Sequence, residues 1–152
     1  MITIREESPG DRTALAALRT TWSGEQAPVL ADGPRRDSQE FDDIFGAWLD
    51  ANPRKFFLAE ADGVPVGMLN LMIFERMPKP GKEPTRWVYL GNVYVLPEFR
   101  NAGIGGKLVE AAIGFSRDIQ AVRILLSPSP ESRTFYARLG FEPAEALNVL
   151  TL

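Results

Sequence analysis

Apolar residues recur along this chain in two rhythms, and the changes of rhythm mark its elements. Ile2-Thr3-Ile4-Arg5 alternates, which predicts a first strand. Ser8-Pro9-Gly10-Asp11 opens a helix, with Ser8 in the N-cap position, Pro9 at the first helical position and Asp11 near the positive end. Leu15, Leu18 and Trp22 form its apolar stripe. Residues 24–34 are polar and proline-containing, a connection. Asp37-x-x-Glu40 has the spacing of a capping box. Phe41, Ile44, Phe45, Trp48 and Leu49 then recur at helical spacing, an amphipathic helix ended by Asn52-Pro53.

From residue 55 the pattern reads as strands. The runs 55–60 and 64–74 flank Asp62-Gly63, a hairpin signal. Residues 77–85 carry three prolines and one glycine and predict a loop. A strand follows over 87–95. Leu108, Ala112, Phe115 and Ile119 share one face of a helix over 107–119, and 122–126 is another apolar strand. Pro128 and Pro130 lead into a short helix over 131–139, which Gly140 stops as a C′ glycine. Phe141 and residues 146–152 predict a final extended pair or strand. The order is β-α-α-β-β-β-α-β-α-β(β): a mixed α/β (α+β) sheet with antiparallel hairpins first and a βαβ crossover later. No repeat or low-complexity tract interrupts it, so one domain over 1–152 is expected.

Composition narrows the chemistry. A formal charge of −3 argues against nucleic acid as the main partner. No run approaches a membrane span, and the first residues lack a charged-then-apolar signal pattern, so a cytoplasmic protein without a membrane partner is expected. The chain has no cysteine and no histidine. A thiol acyl-enzyme, a Ser-His-Asp triad and a Cys/His metal site are therefore excluded, and no metal is expected. Acid–base work falls to carboxylates, tyrosines, lysines or water.

The most informative stretch is Arg100-Asn101-Ala102-Gly103-Ile104-Gly105-Gly106, between a strand and a helix. Glycines let the backbone approach an anion, and the first N–H groups of a helix lack intrahelical partners, so a pyrophosphate is the natural guest. Leu108 stands where a dinucleotide fingerprint needs its third glycine. Asn101 and Leu108 stand where a Walker loop needs Gly and Ser or Thr. What remains, Arg-x-x-Gly-x-Gly, resembles the acyl-coenzyme A signature of the GCN5-related N-acetyltransferases (GNAT). Phe135-Tyr136-Ala137-Arg138-Leu139-Gly140-Phe141 is similar to that family's Phe-Tyr-x-x-x-Gly-Phe segment, and the order of elements resembles the family's from end to end.

The resemblance implies a GNAT-like acyl-coenzyme A N-acyltransferase fold with acetyl-coenzyme A as co-substrate. The pantetheine arm would pair with the strand at Val93, Tyr94 and Val95, and the pyrophosphate would meet the amides of Arg100, Asn101, Ala102, Gly103, Ile104, Gly105 and Gly106. Arg100 either adds charge there or is a solvated surface arginine. Tyr136 would hand a proton to the departing thiolate; its plainer reading is a core tyrosine packed on Phe135. Ser129 stands where the family often has an asparagine on the cofactor arm, and a serine hydroxyl still bonds. No general base is identified. Glu98 and Glu110 read as solvated charges, Asn92 and Tyr94 share one side of their strand, and a water relayed by backbone carbonyls is the default.

The acceptor would lie by the first two helices and the 77–85 loop. Trp22, Trp48 and Trp87 are the aromatic candidates there, with Trp48 read as core. Asp32, Asp37, Asp42 and Asp43 read as a solvated acidic face rather than as substrate ligands. The implied function is direct acetyl transfer to a primary amine of a small molecule or peptide. A non-catalytic acyl-coenzyme A binding or sensing module and a protein N-acetyltransferase are the alternatives, and a homodimer is left open.

Overall fold

In the computed structural model, which describes residues 1–26 and 38–152, Asp62 and Gly63 both take positive φ, 48° and 83°. That is the conformation a two-residue type I′ turn requires. They join β2 (Lys55–Ala61) to β3 (Val64–Glu75). With β1 (Ile2–Glu6), β4 (Arg86–Val95) and β5 (Ala121–Leu125) these strands form one sheet in the order β1-β2-β3-β4-β5. The first four run antiparallel and β5 lies parallel to β4. The expected capping residue Asp37, with Asp32 and most of the first connection, falls outside the described residues.

Burial on both faces explains why the central strands read as nearly continuous apolar runs. Phe56 and Leu58 point to one side, where they pack with Leu15 and Leu18 of α1 (Arg12–Gln26). Phe57 and Ala59 point to the other, against Leu108, Val109 and Ala112 of α3 (Ile104–Asp118). α2 (Ser38–Ala51) lies beside α1, and the short α4 (Arg133–Arg138) follows β5. The end of α4 is a Schellman turn: Gly140 has φ 94°, its N–H donates to the Ala137 carbonyl, and the Phe141 N–H donates to that of Tyr136.

Two boundaries differ from the sequence reading. α3 begins at Ile104 rather than Lys107, because Gly103 takes φ 78° as N-cap and Ile104 is buried at once. The final strand is absent: residues 142–152 form no strand, so the order ends β-α-β-α. Pro143 removes a ladder donor just where pairing would start. The side chains of Val149, Leu150 and Leu152 stay exposed, with no apolar surface against them.

What positions the site is a divergence between β4 and β5. Their pairing covers only Arg86↔Ala121 to Tyr89↔Leu125. Beyond it, β4 carries a bulge: Asn92 takes φ 56°, and the register against β3 slips between Met68↔Tyr94 and Asn70↔Gly91. A bulge bends its strand and re-aims the residues after it. The edge of β4 from Leu90 to Val95 is thereby left without a β5 partner.

Candidate active site

The gap between the diverging strands opens into a cleft of about 600 Å³. Val93 and Val95 of β4 line one wall, and Phe135, Tyr136 and Arg138 of α4 line the facing one. Its end is formed by Phe99, Arg100, Asn101, Gly103, Ile104, Gly105 and Gly106. Most of the expected residues thus share one surface; Ala102 does not line it. Asn101 and Gly103 both hold positive φ, 62° and 78°, which folds the turn back over the start of α3. The N–H groups of Ile104, Gly105 and Gly106 belong to the first turn of that helix and have no intrahelical acceptor. A Cβ on Gly105 would meet the Phe135 ring at 3.4 Å, so α3 and α4 approach closely across this glycine.

Tyr136 is half-buried. Its ring stands edge-on to Phe135, with centroids 4.9 Å apart, and to Phe141 at 5.7 Å. The two sequence readings of this residue are therefore compatible: the ring is packed, and the residue also faces the cleft. Burial pushes its hydroxyl above the ordinary phenol range, which keeps it protonated at neutral pH.

Three expected residues sit differently from the simplest expectation. The Tyr94 side chain is buried on the opposite side of the sheet, stacked on Trp22 at 5.4 Å, so only its backbone belongs to the β4 edge. Its hydroxyl donates to Glu25, and burial together with that carboxylate pushes it up to about 12. Arg100 is exposed, as a surface arginine is, but its charge is committed. It donates to Glu25 at 2.7 Å and to the Val95 carbonyl at 2.9 Å, and its guanidinium lies 5.5 Å from the centre of the Tyr94 ring. Ser129 caps the turn before α4 and exchanges a 3.0 Å hydrogen bond with Ser132; it is Ser132 that lines the cleft. Ser132, Phe99 and Arg138 are not singled out by the sequence; Phe99 reaches the cleft just before the glycine turn, and Ser132 and Arg138 reach it at the two ends of α4.

A second cavity, of about 260 Å³, lies under α2 on the other face of the sheet. Its walls are Phe41, Ile44, Phe45 and Trp48 of α2, with Phe56 and Met68 of the sheet; Arg19, Asn70 and Asn92 are its polar members. Trp48 is thus a cavity wall, 38% exposed, rather than core, because α2 stands off the sheet and its apolar stripe is not closed over. Asn92 and Tyr94 do share this face, as expected. Trp22 packs on Tyr94 beneath the Arg19 guanidinium. Trp87 lies between Arg76 and Arg123 and lines neither hollow, nor do residues 77–85. Among the described residues there is no cluster of three or more potential metal-ligating side chains, and no helix long and apolar enough to cross a membrane.

Comparison with known proteins gives the same outline. The model of the Acetyltransferase (GNAT) family matches residues 17–141. A glucosamine 6-phosphate N-acetyltransferase of Trypanosoma brucei brucei is 31% identical over 91 residues, 60% of this chain and 60% of that protein. An aminoglycoside N(6')-acetyltransferase type 1 of Salmonella typhimurium is 30% identical over 100 residues, 64% of this chain and 68% of that enzyme. The match thus spans less than two thirds of the trypanosome protein. Among solved structures, a Clostridium acetobutylicum acetyltransferase determined with acetyl-coenzyme A superposes with a TM-score of 0.72 at 20% identity, over 99% of this chain and 96% of that one.

Proposed function

The chain belongs to the Acetyltransferase (GNAT) family, and from that premise we propose that it transfers an acetyl group from acetyl-coenzyme A directly to a primary amine. The observation that carries this reading is the continuity of the cleft. An unpaired strand edge runs into a turn of free helix-start amides, with a protonated tyrosine on the facing wall. The edge of β4 offers backbone N–H and C=O groups to an extended, amide-bearing arm, as a missing strand would. The amides of Ile104, Gly105 and Gly106 point at a diphosphate. Hydrogen bonds to a charged acceptor contribute about 1.5–3 kcal/mol each. Two or three of them, with the arm, suffice for micromolar binding without a free cation in the turn.

In the reaction the amine nitrogen forms a bond to the thioester carbon, the carbon–sulfur bond breaks, and the sulfur leaves as coenzyme A thiolate. An alkylammonium of pKa near 10.4 is neutral in only about one molecule in 2,500 at pH 7. It sheds its proton to water, and no histidine competes for that role. Tyr136 donates to the leaving sulfur. A buried phenol is a weaker acid than a thiol of pKa near 8.5, so complete transfer is uphill by at least about 2 kcal/mol. Tyr136 therefore acts through a hydrogen bond shared with the sulfur; the attacking nitrogen gives its second proton to water as the amide forms, and a proton from water settles on the thiol as the product leaves, so that Tyr136 ends the cycle protonated. Two similar proteins, named for acetylating glucosamine 6-phosphate and aminoglycosides, support an amine acceptor.

The test is coenzyme A affinity by calorimetry, followed by incubation with acetyl-coenzyme A and a panel of amines while released thiol is measured. Tight coenzyme A binding with thiol release that depends on an amine is expected. Binding without release from any amine would make the protein a coenzyme A-binding module, and no binding would overturn the reading of the cleft.

A further inference from the structure

The cavity under α2 faces the same bulge of β4 as the cleft. Asn92 lines the cavity and its neighbour Val93 lines the cleft, so the two hollows meet across one strand. The cavity walls are aromatic and aliphatic, among them Phe45, Trp48 and Met68. Among the described residues one cation lines it. The Nη1 atom of Arg19 is buried and has no hydrogen-bond partner among the described residues. The Arg19 guanidinium carbon lies over the Trp22 ring, 4.7 Å from its centre, a contact that supplies that nitrogen with no hydrogen-bond acceptor. A buried N–H donor left unpaired in an apolar wall is costly. A ligand anion would relieve it.

Building on the acetyl-transfer reading, we propose that this cavity is the acceptor site and that its acceptor is an apolar primary amine bearing a carboxylate, of the size of an aromatic or branched amino acid. Arg19 receives the carboxylate. A planar guanidinium matches that group in geometry and in its single charge. Among the described residues no second arginine and no lysine lines the cavity, so there a phosphate dianion would be left partly uncompensated. Phe45, Trp48 and Met68 cover the apolar body. Asn70 donates to Asn92 at 2.7 Å, and this pair supplies the polar boundary with the cleft, where the amine meets the thioester. An aminoglycoside lacks both the apolar body and the anion that the cavity is built to receive, and a sugar phosphate lacks the apolar body.

The test separates this assignment from the acetyl-transfer reading by measuring binding without turnover. 3-Phenylpropanoate has the apolar body and the carboxylate but no amine; 3-phenylpropanamide is its uncharged match. The propanoate is expected to bind at least about tenfold tighter than the amide by NMR titration, one charge-assisted bond being worth about that factor. R19Q and R19K are then compared, with retained coenzyme A affinity reporting that each is folded. R19Q is expected to bring the two ligands within about threefold of each other, and R19K to restore part of the difference. In turnover, phenylalanine is expected to exceed phenylalaninamide in kcat/KM, the difference residing in KM and shrinking in R19Q. Equal binding of acid and amide by the wild type, or an unchanged ratio in R19Q, would overturn the assignment even if amines are acetylated. Selective propanoate binding in a protein that releases no thiol would keep the carboxylate-binding cavity but sink the transfer reaction, and with it the cavity's role as acceptor site.

Discussion

Arg100 and Glu25 pair at 2.7 Å, joining the glycine turn to the last turn of α1. The same carboxylate accepts from the Tyr94 hydroxyl, so one acid holds an arginine of the cleft and a tyrosine of the opposite face. Glu25 is held below its ordinary range by the Tyr94 hydrogen bond and by Arg100, and is ionised at neutral pH. Its negative charge offsets Arg100 beside the proposed pyrophosphate site. E25Q is therefore expected to raise coenzyme A affinity roughly two- to fivefold at low salt, with the gain vanishing at high salt, as screening of an exposed pair requires. Calorimetry at two ionic strengths measures this; unchanged or weaker binding would remove Arg100 from the site.

The same substitution acts on Tyr94. Burial raises its hydroxyl most, and the Glu25 carboxylate raises it further, to about 12. Loss of the charge removes only the second contribution. The Tyr94 titration in E25Q is expected to fall part of the way toward 10, followed through the ring carbon shifts of labelled tyrosine. A midpoint identical to wild type would show that the hydroxyl does not face Glu25 in solution.

Gly103 has φ 78°, so any side chain there strains the turn, by about 1–2 kcal/mol for an L-residue in this region. Gly105 is different, because an added Cβ meets the Phe135 ring at ordinary contact distance, 3.4 Å. G103V is expected to weaken coenzyme A binding at least about tenfold with a small loss of stability, because the turn can no longer aim its amides. G105A is expected to retain the fold. Thermal unfolding and calorimetry on both variants separate damage to the cradle from damage to the fold.

Local patterns explain why so much of the site is readable in the chain. The turn into α3 pivots on Asn101 and Gly103 and the Schellman stop on Gly140, all at positive φ, and both are set by neighbouring residues. The paired faces of β2 follow from burial on both sides. What the sequence conceals depends on distant packing. Nothing local says that α2 stands off the sheet, so Trp48 at perfect helical spacing reads as core and is a cavity wall. Arg100 needs Glu25, 75 residues away in sequence, to define its role. Residues 146–152 are apolar enough for a strand, yet a strand also needs an available partner edge and Pro143 interrupts the approach.

Asp11 binds the Arg5 guanidinium at 2.7 and 2.9 Å and accepts the Ser8 N–H at 2.6 Å, which ties the start of the first helix to β1. Arg5 donates in turn to Glu60 of β2. The Arg5 bonds hold the Asp11 carboxyl far below its ordinary value. A carboxyl that is more acidic folded than unfolded stabilises the fold fully above its unfolded pKa near 3.9, and the contribution is lost as pH falls below that. D11N is expected to cost about 2–3 kcal/mol at pH 7 through lost charge-assisted bonds. Urea denaturation at pH 7 and pH 3 reads the effect, which should shrink at the lower pH; an equal deficit at both would mean that the charge is not what Asp11 contributes.

Y136F keeps the ring between Phe135 and Phe141 and removes only the hydroxyl. The cradle amides and the β4 edge are untouched, so coenzyme A affinity is expected to stay within about twofold. kcat is expected to fall about a hundredfold, at the lower end for a positioned proton donor, because Tyr136 shares its proton with the sulfur instead of surrendering it early. The leaving group supplies the decisive comparison. An acetyl thioester of a more acidic thiol needs less help in departing, so the ratio of wild-type to Y136F rates should shrink with that donor. If the ratio is the same for both thioesters, the hydroxyl acts on binding geometry and not on the departing sulfur.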